Sequence, residues 1–163
     1  SIPENQSELE DQLEQALYFT MITSYAQGLH LLWQASKTYH YELNLHEIAK
    51  IWRGGCIIRA ELLEDIYQAY SKNPELEHLF ADSNIQEKLS TTIKGLRKVI
   101  HVSIDNGLPV PAFASALTYF DSLRTENLPL NLTQAQRDFF GAHTFERIDE
   151  EGIFHAIWNP TTL

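Results

Sequence analysis

The sequence contains a single cysteine, Cys56, among its 163 residues. One cysteine excludes an internal disulfide framework and a zinc site built from several cysteines. Long apolar runs are missing too, since no stretch approaches the roughly 20 residues that a helix needs to cross a bilayer. The charged start and apolar stretch typical of a signal peptide are also missing. We therefore expect a cytoplasmic protein that does not bind membranes.

Basic residues are scarce: 12 Lys and Arg stand against 22 Asp and Glu, and the formal net charge is −10. Such a protein repels the phosphodiester backbone, which is bound mainly through Lys and Arg, so we expect no nucleic-acid partner. The remaining composition, 44% hydrophobic and 21% charged, is that of an ordinary globular protein. A chain of this length can bury one core of normal size, which predicts one folded domain.

Several motifs that bind cofactors or metals are absent. No stretch matches GxGxxG, or GxxxxGK followed by Ser or Thr, so this chain lacks the usual sites for a dinucleotide or a nucleotide phosphate. The seven histidines contain no HExxH pair, because His46 and Glu47 are followed by Lys50 where a second histidine is required. We therefore expect no metal site.

Apolar residues recur at steps of three and four along most of the chain, which predicts amphipathic helices. Capping boxes, Ser7 with Glu10 and Thr133 with Gln136, predict two of the helix starts. No alternating strand pattern and no internal repeat is found, so the predicted fold class is all-α, a helical bundle. The helices are predicted over residues 7–39, 44–53, 57–70, 82–105, 111–120 and 133–141.

The helical pattern stops at Gly141, which is expected to end the last helix. We predict an irregular tail beyond it. The chain is accordingly divided into a helical domain over residues 1–141 and a tail over 142–163. The expected anchors of the tail are Phe145, Ile153, Phe154 and Trp158.

The segment 134–144 is the best candidate for chemistry. Arg137 lies on the last predicted helix and His143 just past its glycine end, so both side chains could converge on an anion. Arginine offers a planar fork to a phosphate or carboxylate, and histidine can donate a further hydrogen bond. From chemistry alone, a pairing of Arg137 with Asp138 or another acidic side chain is the stronger interpretation. His155 is likewise interpreted as a packing residue.

A pair of glycines, Gly54 and Gly55, lies between basic residues in the segment 52–59. A backbone without side chains could approach a ligand there, but we favour a tight interhelical turn or close helix packing. Cys56 follows with apolar neighbours, which raise the pKa of a thiol, so we interpret it as a core residue and not as a nucleophile.

The run QAQRDFFGAHT at residues 134–144 closely resembles a signature of the decarboxylating 6-phosphogluconate dehydrogenases. Members of that family have an N-terminal Rossmann domain that binds NADP and a large helical C-terminal domain. The resemblance implies that this chain is the distal part of the helical domain plus its tail, and that NADP binds outside it. Further segments resemble the family in the same order and spacing, at residues 24–28, 51–59, 107–111 and 151–155.

The family's reaction passes a hydride from C3 of 6-phosphogluconate to NADP, after which decarboxylation gives ribulose 5-phosphate and carbon dioxide. A lysine and a glutamate transfer the protons, and both would precede Ser1, so the resemblance implies no catalytic residue in this chain. It implies instead that Arg137 and His143 bind the substrate in the active site of the partner subunit of a homodimer, the arginine mainly at the phosphate. Arg53 and Arg59 also match family positions, and we assign them to helix packing or the dimer core.

The chain begins at Ser1 and its only methionine is Met21, so we expect a piece of a longer protein. A second hypothesis comes from a different class, a stand-alone helical module for binding or assembly without catalysis. The coding sequence before Ser1 distinguishes the two. A dinucleotide fingerprint in frame would favour the enzyme, and a nearby start codon would favour the module.

Overall fold

The structure, a computed structural model, describes residues 6–54 and 61–158, and these form six α-helices. Within them the only β pairing is one isolated bridge, so the all-α prediction is confirmed. No helix in these ranges is long and apolar enough to cross a membrane. The helices are α1 (Gln6–Tyr39), α2 (Leu45–Arg53), α3 (Leu62–Lys72), α4 (Ser83–Asp105), α5 (Pro111–Leu123) and α6 (Asn131–Gly141), with a 3-10 turn at Leu79–Ala81.

The chain divides into two compact units, Ser1–Asp121 and Ser122–Leu163. The first holds α1 to α4 and most of α5. The second holds α6 together with the tail, whereas the sequence pattern grouped α6 with the preceding helices. The candidate residues Arg137 and His143 therefore lie in the same unit as the residues that follow them.

The core of the first unit forms where α1 packs along α4 and where α2 packs against α3. Gly95 of α4 lies at the α1 contact, because a Cβ there would come within 2.6 Å of the Cβ of Gln15. A larger residue at this position would push the two helices apart. The completely buried large side chains of this core are Phe19, Ile22, Leu29, Leu62, Leu63, Ile66, Tyr70, Leu79, Ile85 and Leu96.

The face that α1 buries is narrower than predicted. Leu13 and Leu17 belong to the run of apolar residues spaced three and four apart that predicts α1, but they are 42% and 56% exposed. An α-helix turns by about 100° per residue, so Leu17 points away from the direction in which Ala16 is buried. The buried positions of α1 are Ala16, Phe19, Ile22, Thr23, Ala26 and Leu29.

Three of the predicted helix starts are confirmed. Asn44 caps α2 by accepting a hydrogen bond from the backbone N–H of Glu47 at 3.4 Å. Asp82 caps α4 in the same way, accepting from Ile85 at 3.1 Å. Pro111 is the first residue of α5, where its missing N–H leaves no hydrogen bond unmade.

The helices predicted to start at residues 7 and 133 begin at Gln6 and Asn131, but the capping roles predicted for Ser7 and Thr133 are wrong. Ser7 lies inside α1, which already includes Gln6, and Thr133 lies inside α6. The cap position of α6 is Leu130, whose side chain makes no cap bond and whose carbonyl accepts from the N–H of Gln134 at 3.0 Å. The backbone at Leu130 is already in the helical region, so α6 begins before Thr133, the residue predicted to cap it.

The segment between α2 and α3 is described only in part. The predicted helix start at Ile57, the turn at Gly55, and the roles assigned to Cys56 and Arg59 lie outside the described residues. Arg53, at the end of α2, forms an ion pair with Glu64 of α3, and its assignment to helix packing or the dimer core stays a prediction.

Candidate functional site

Asp138 is the centre of the second unit. Its side chain is completely buried on α6, although it carries a carboxylate. Oδ1 accepts hydrogen bonds from the backbone N–H of Thr144 at 3.0 Å and from Nδ1 of His155 at 2.7 Å. Oδ2 accepts from the backbone N–H of Ala156 and from Nε1 of Trp158, both at 2.9 Å. Four donors therefore satisfy this one buried charge.

The same contacts set the protonation state of Asp138. Burial by itself raises the pKa of a carboxyl group. The hydrogen bonds from His155, Ala156 and Trp158 outweigh that effect and lower the pKa of Asp138 from 3.8 to about 2. The carboxylate is therefore ionised near neutral pH and can only accept hydrogen bonds. It follows that Nδ1 of His155 carries a hydrogen and donates a hydrogen bond to Oδ1 of Asp138.

The turn after α6 brings His143 back towards the helix. Gly141 is the last helical residue, as predicted, but Ala142 takes the left-handed conformation with φ of 47°. A Cβ on Gly141 would lie 2.6 Å from Nε2 of His143, so the imidazole occupies the space that any other residue at position 141 would fill. Gly141 is needed here because only a residue without a Cβ leaves room for the imidazole. Ala142, the next residue, adopts a left-handed conformation that costs a non-glycine residue about 1 kcal/mol.

Arg137 presents an exposed guanidinium on α6. Its Nη1 donates to Oε1 of Gln134 at 3.2 Å, and no carboxylate of the described residues forms an ion pair with it. The pairing with Asp138 expected from chemistry alone is therefore wrong, because Asp138 points inward and is saturated by other donors. Arg137 and Gly141 are four residues apart on one helix face, so the His143 ring lies on the Arg137 side of α6.

Gln134 bonds Arg137 and the residue that follows His143. Besides accepting from Arg137, its Nε2 donates to the backbone carbonyl of Thr144, directly after His143. Phe140 adds an edge-on ring contact to His143 at 6.2 Å between centroids. Arg137 and His143, which the sequence singled out, are both exposed, one on α6 and the other just after its end.

The tail is more ordered than the sequence predicts. Phe145 and Phe154 form an antiparallel bridge with two backbone hydrogen bonds of 2.9 Å, and their rings lie 6.1 Å apart. Trp158 is anchored by Asp138 and by an edge-on contact with Phe139 at 5.7 Å. Ile153, the fourth expected anchor, is 74% exposed, so that prediction is wrong.

Sequence reasoning missed Asp138 and His155 as parts of this site. Asp138 was considered only as a partner for Arg137, and His155 only as a packing residue. An available signal was the spacing of Gln134 and Asp138, two polar residues one helical turn apart, which places both on one face. Their partners are up to 20 residues further along the chain, so no local pattern identifies them.

Residues 6–54 and 61–158 contain no group of three or more His, Cys, Asp or Glu side chains that could hold a metal ion. The second unit presents an exposed arginine fork on α6 and an exposed imidazole just after its end, two groups that can each bind a small anion.

Comparison with known proteins gives one consistent result. The sequence profile described as "6-phosphogluconate dehydrogenase, C-terminal domain" matches residues 1–158. A Bacillus subtilis protein, "6-phosphogluconate dehydrogenase, NADP(+)-dependent, decarboxylating", is 50% identical over 157 residues, which cover 96% of this chain and 34% of that protein. The Escherichia coli "6-phosphogluconate dehydrogenase, decarboxylating" is 46% identical over 154 residues, covering 94% of this chain and 33% of the other.

A solved structure agrees with these relatives. The Plasmodium falciparum 6-phosphogluconate dehydrogenase, described in its apo form and in complex with NADP+ and with 6-phosphogluconate, superposes with a TM-score of 0.90 at 46% identity. The match covers 97% of this chain and 34% of that one. The chain spans about a third of the length of the curated relatives it matches. It belongs to the 6-phosphogluconate dehydrogenase family and corresponds to part of the family's C-terminal domain.

Proposed function

We propose that this chain is the C-terminal part of an NADP-dependent, decarboxylating 6-phosphogluconate dehydrogenase. Its own contribution is to bind the substrate through Arg137 and His143 and to form part of a homodimer, in which the two side chains enter the partner subunit's active site. In this proposal residues 1–141 belong to the helical domain and residues 142–163 are the tail. A cytoplasmic location is part of the same proposal.

The observation that carries the proposal is that Arg137 is exposed and has no carboxylate partner among the described residues. The guanidinium is exposed and bonds only a neutral amide among the described residues, in a chain whose net charge is −10. An arginine without a carboxylate partner in so acidic a protein keeps its fork available for an incoming anion. A phosphate monoester can accept two parallel hydrogen bonds from such a fork, and the imidazole of His143 supplies one further donor.

The division of labour in this proposal places the chemistry outside the chain. NADP, bound upstream, accepts the hydride, and no residue of this chain has a part in holding it. Arg137 and His143 orient the substrate by its anionic end, which holds the reacting carbon in place without contact to it. Their contribution is therefore to substrate binding and orientation, and proton transfer belongs to residues that precede Ser1.

The complete protein should reduce NADP when 6-phosphogluconate is added, while the purified chain of residues 1–163 should not. The reason is that the cofactor site and both proton-transfer residues lie outside it. The measurement is NADPH formation by each protein against a boiled control. Turnover by the short chain, or an inactive complete protein, would contradict the proposal.

Gly141→Ala in the complete enzyme tests the position of His143. The new Cβ would displace the imidazole, which is exposed and can swing away, so the fold should keep its thermal stability. Substrate binding should lose one hydrogen bond to a charged group, which raises the KM for 6-phosphogluconate by about tenfold or more. Steady-state kinetics together with a thermal melt separate the two effects.

The control for this variant is a double-mutant cycle with His143→Ala. If Gly141→Ala acts by displacing His143, adding it to His143→Ala should change the KM no further. Additive effects of the two substitutions would mean that Gly141 acts on the substrate independently of the imidazole.

A further inference from the structure

Both backbone neighbours of His143 are tied to Asp138. The N–H of Ala142 donates to the backbone carbonyl of Asp138 at 2.9 Å, and the N–H of Thr144 donates to its Oδ1 at 3.0 Å. Ala142 and Thr144 both have positive φ, 47° and 59°, a conformation that non-glycine residues adopt only when their surroundings hold them. The Ala142 contact uses a backbone carbonyl that any residue would supply, whereas the Thr144 contact uses the side chain, so the peptide unit that follows His143 is oriented by the Asp138 carboxylate.

Arg137 is connected to the same carboxylate through three hydrogen bonds. Asp138 holds the N–H of Thr144, the carbonyl of Thr144 accepts from Gln134, and Oε1 of Gln134 accepts from Arg137. Each of these three hydrogen bonds has a defined donor and acceptor. The long arginine side chain is thereby restricted, which reduces the entropy lost when it binds an anion.

Residues of the tail also bond the Asp138 carboxylate. His155, Ala156 and Trp158 all donate to Asp138, so one buried carboxylate holds the returning segment against α6. An apolar residue in place of Asp138 would leave four donors without a partner, and even an amide would turn an NH₂ group towards donors.

We propose that Asp138 is the positioning residue of the substrate-binding surface, holding Arg137 and His143 in the geometry that receives the anionic end of the substrate. This inference rests on the proposed function, since it takes the substrate to be bound by those two side chains. Asp138 itself is buried and does not touch the substrate. It acts through Thr144 and Gln134.

The test uses Asp138→Asn in the complete enzyme, which keeps the side-chain volume and removes the charge. The KM for 6-phosphogluconate should rise about tenfold or more, while the KM for NADP and the kcat at saturating substrate change less than about twofold. A role confined to stability would lower the amount of active enzyme and leave the KM for 6-phosphogluconate unchanged. That second result would overturn the proposal.

Gln134→Ala keeps the inference testable if Asp138→Asn does not fold. Gln134 is only half-buried, so its loss should not lower the melting temperature, but it disconnects Arg137 from Thr144. We expect about a threefold to tenfold higher KM for 6-phosphogluconate. The matched control is Gln136→Ala, an exposed glutamine of the same helix, for which no change is expected.

The outcomes separate this inference from the proposed function. If Arg137→Ala raises the KM for 6-phosphogluconate while Asp138→Asn and Gln134→Ala do not, the positioning role is refuted and substrate binding by Arg137 stands. If Arg137→Ala also leaves that KM unchanged, the proposed function itself is refuted.

Discussion

Arg137→Ala in the complete enzyme is expected to raise the KM for 6-phosphogluconate by about 30-fold to 5,000-fold. This range corresponds to the roughly 2–5 kcal/mol lost when one partner of a desolvated charge pair is removed. The guanidinium forms no ion pair with the described residues, so its removal breaks no structural ion pair there. The KM for NADP should hardly change, because the cofactor site lies outside this chain in the proposed function.

Two further variants make this result specific. Arg137→Lys should recover only part of the lost affinity, because an ammonium is a point charge and cannot bind phosphate with two parallel donors. Arg147→Ala is the matched control: Arg147 is an exposed arginine of the same unit, but it pairs with Asp149 at 2.6 Å and belongs to the tail. It should leave the KM for 6-phosphogluconate unchanged. If Arg137→Ala weakens substrate and NADP equally, Arg137 supports the fold and does not bind phosphate.

The second large effect concerns which subunit's active site receives Arg137 and His143. Mixing an Arg137→Ala subunit with one that lacks the upstream catalytic lysine should restore activity, although each homodimer is nearly inactive. In the mixed dimer, the site on the Arg137→Ala subunit keeps its catalytic residues and receives a normal arginine from its partner. The other site receives both defects, so one of the two sites is intact.

The size of the recovery follows from random reassortment. About half of the dimers are mixed and each has one intact site, so about a quarter of all sites should regain activity. Native mass spectrometry verifies that the subunits have exchanged, and the NADPH assay measures the recovered activity. If exchange is complete and activity stays at the level of the homodimers, then Arg137 and His143 act within their own subunit.

Most helices could be predicted because their signals are local. Asn44, Asp82 and Pro111 begin helices at the expected places, since a cap or a proline acts on the backbone within three or four residues. The spacing of apolar residues does not determine which face of a helix another helix packs against. Leu13 and Leu17 are exposed because α4 packs against a neighbouring face of α1.

The last helix shows where the hydrophobic pattern misleads. The apolar residues of α6 are outside, with Leu132 80%, Phe139 59% and Phe140 67% exposed, whereas the buried side chain is the carboxylate of Asp138. A rule that assigns apolar residues to the interior predicts the wrong buried face for this helix. Four donors from the turn and the tail make the burial of Asp138 tolerable, and these donors come together only after the chain has folded back.

The sequence by itself determined the all-α fold, most of the helix ends and, through the order of its motifs, the family. The resemblance to the family also singled out Arg137 and His143 as candidate substrate ligands, whereas residue chemistry alone favoured an acidic partner for Arg137. Only the tertiary structure decided that Arg137 turns away from Asp138 and that the tail closes on this carboxylate. The reason is the range of the interactions: caps and helical periodicity act within one or two turns, whereas the partners of a buried charge are set by the path of the whole backbone.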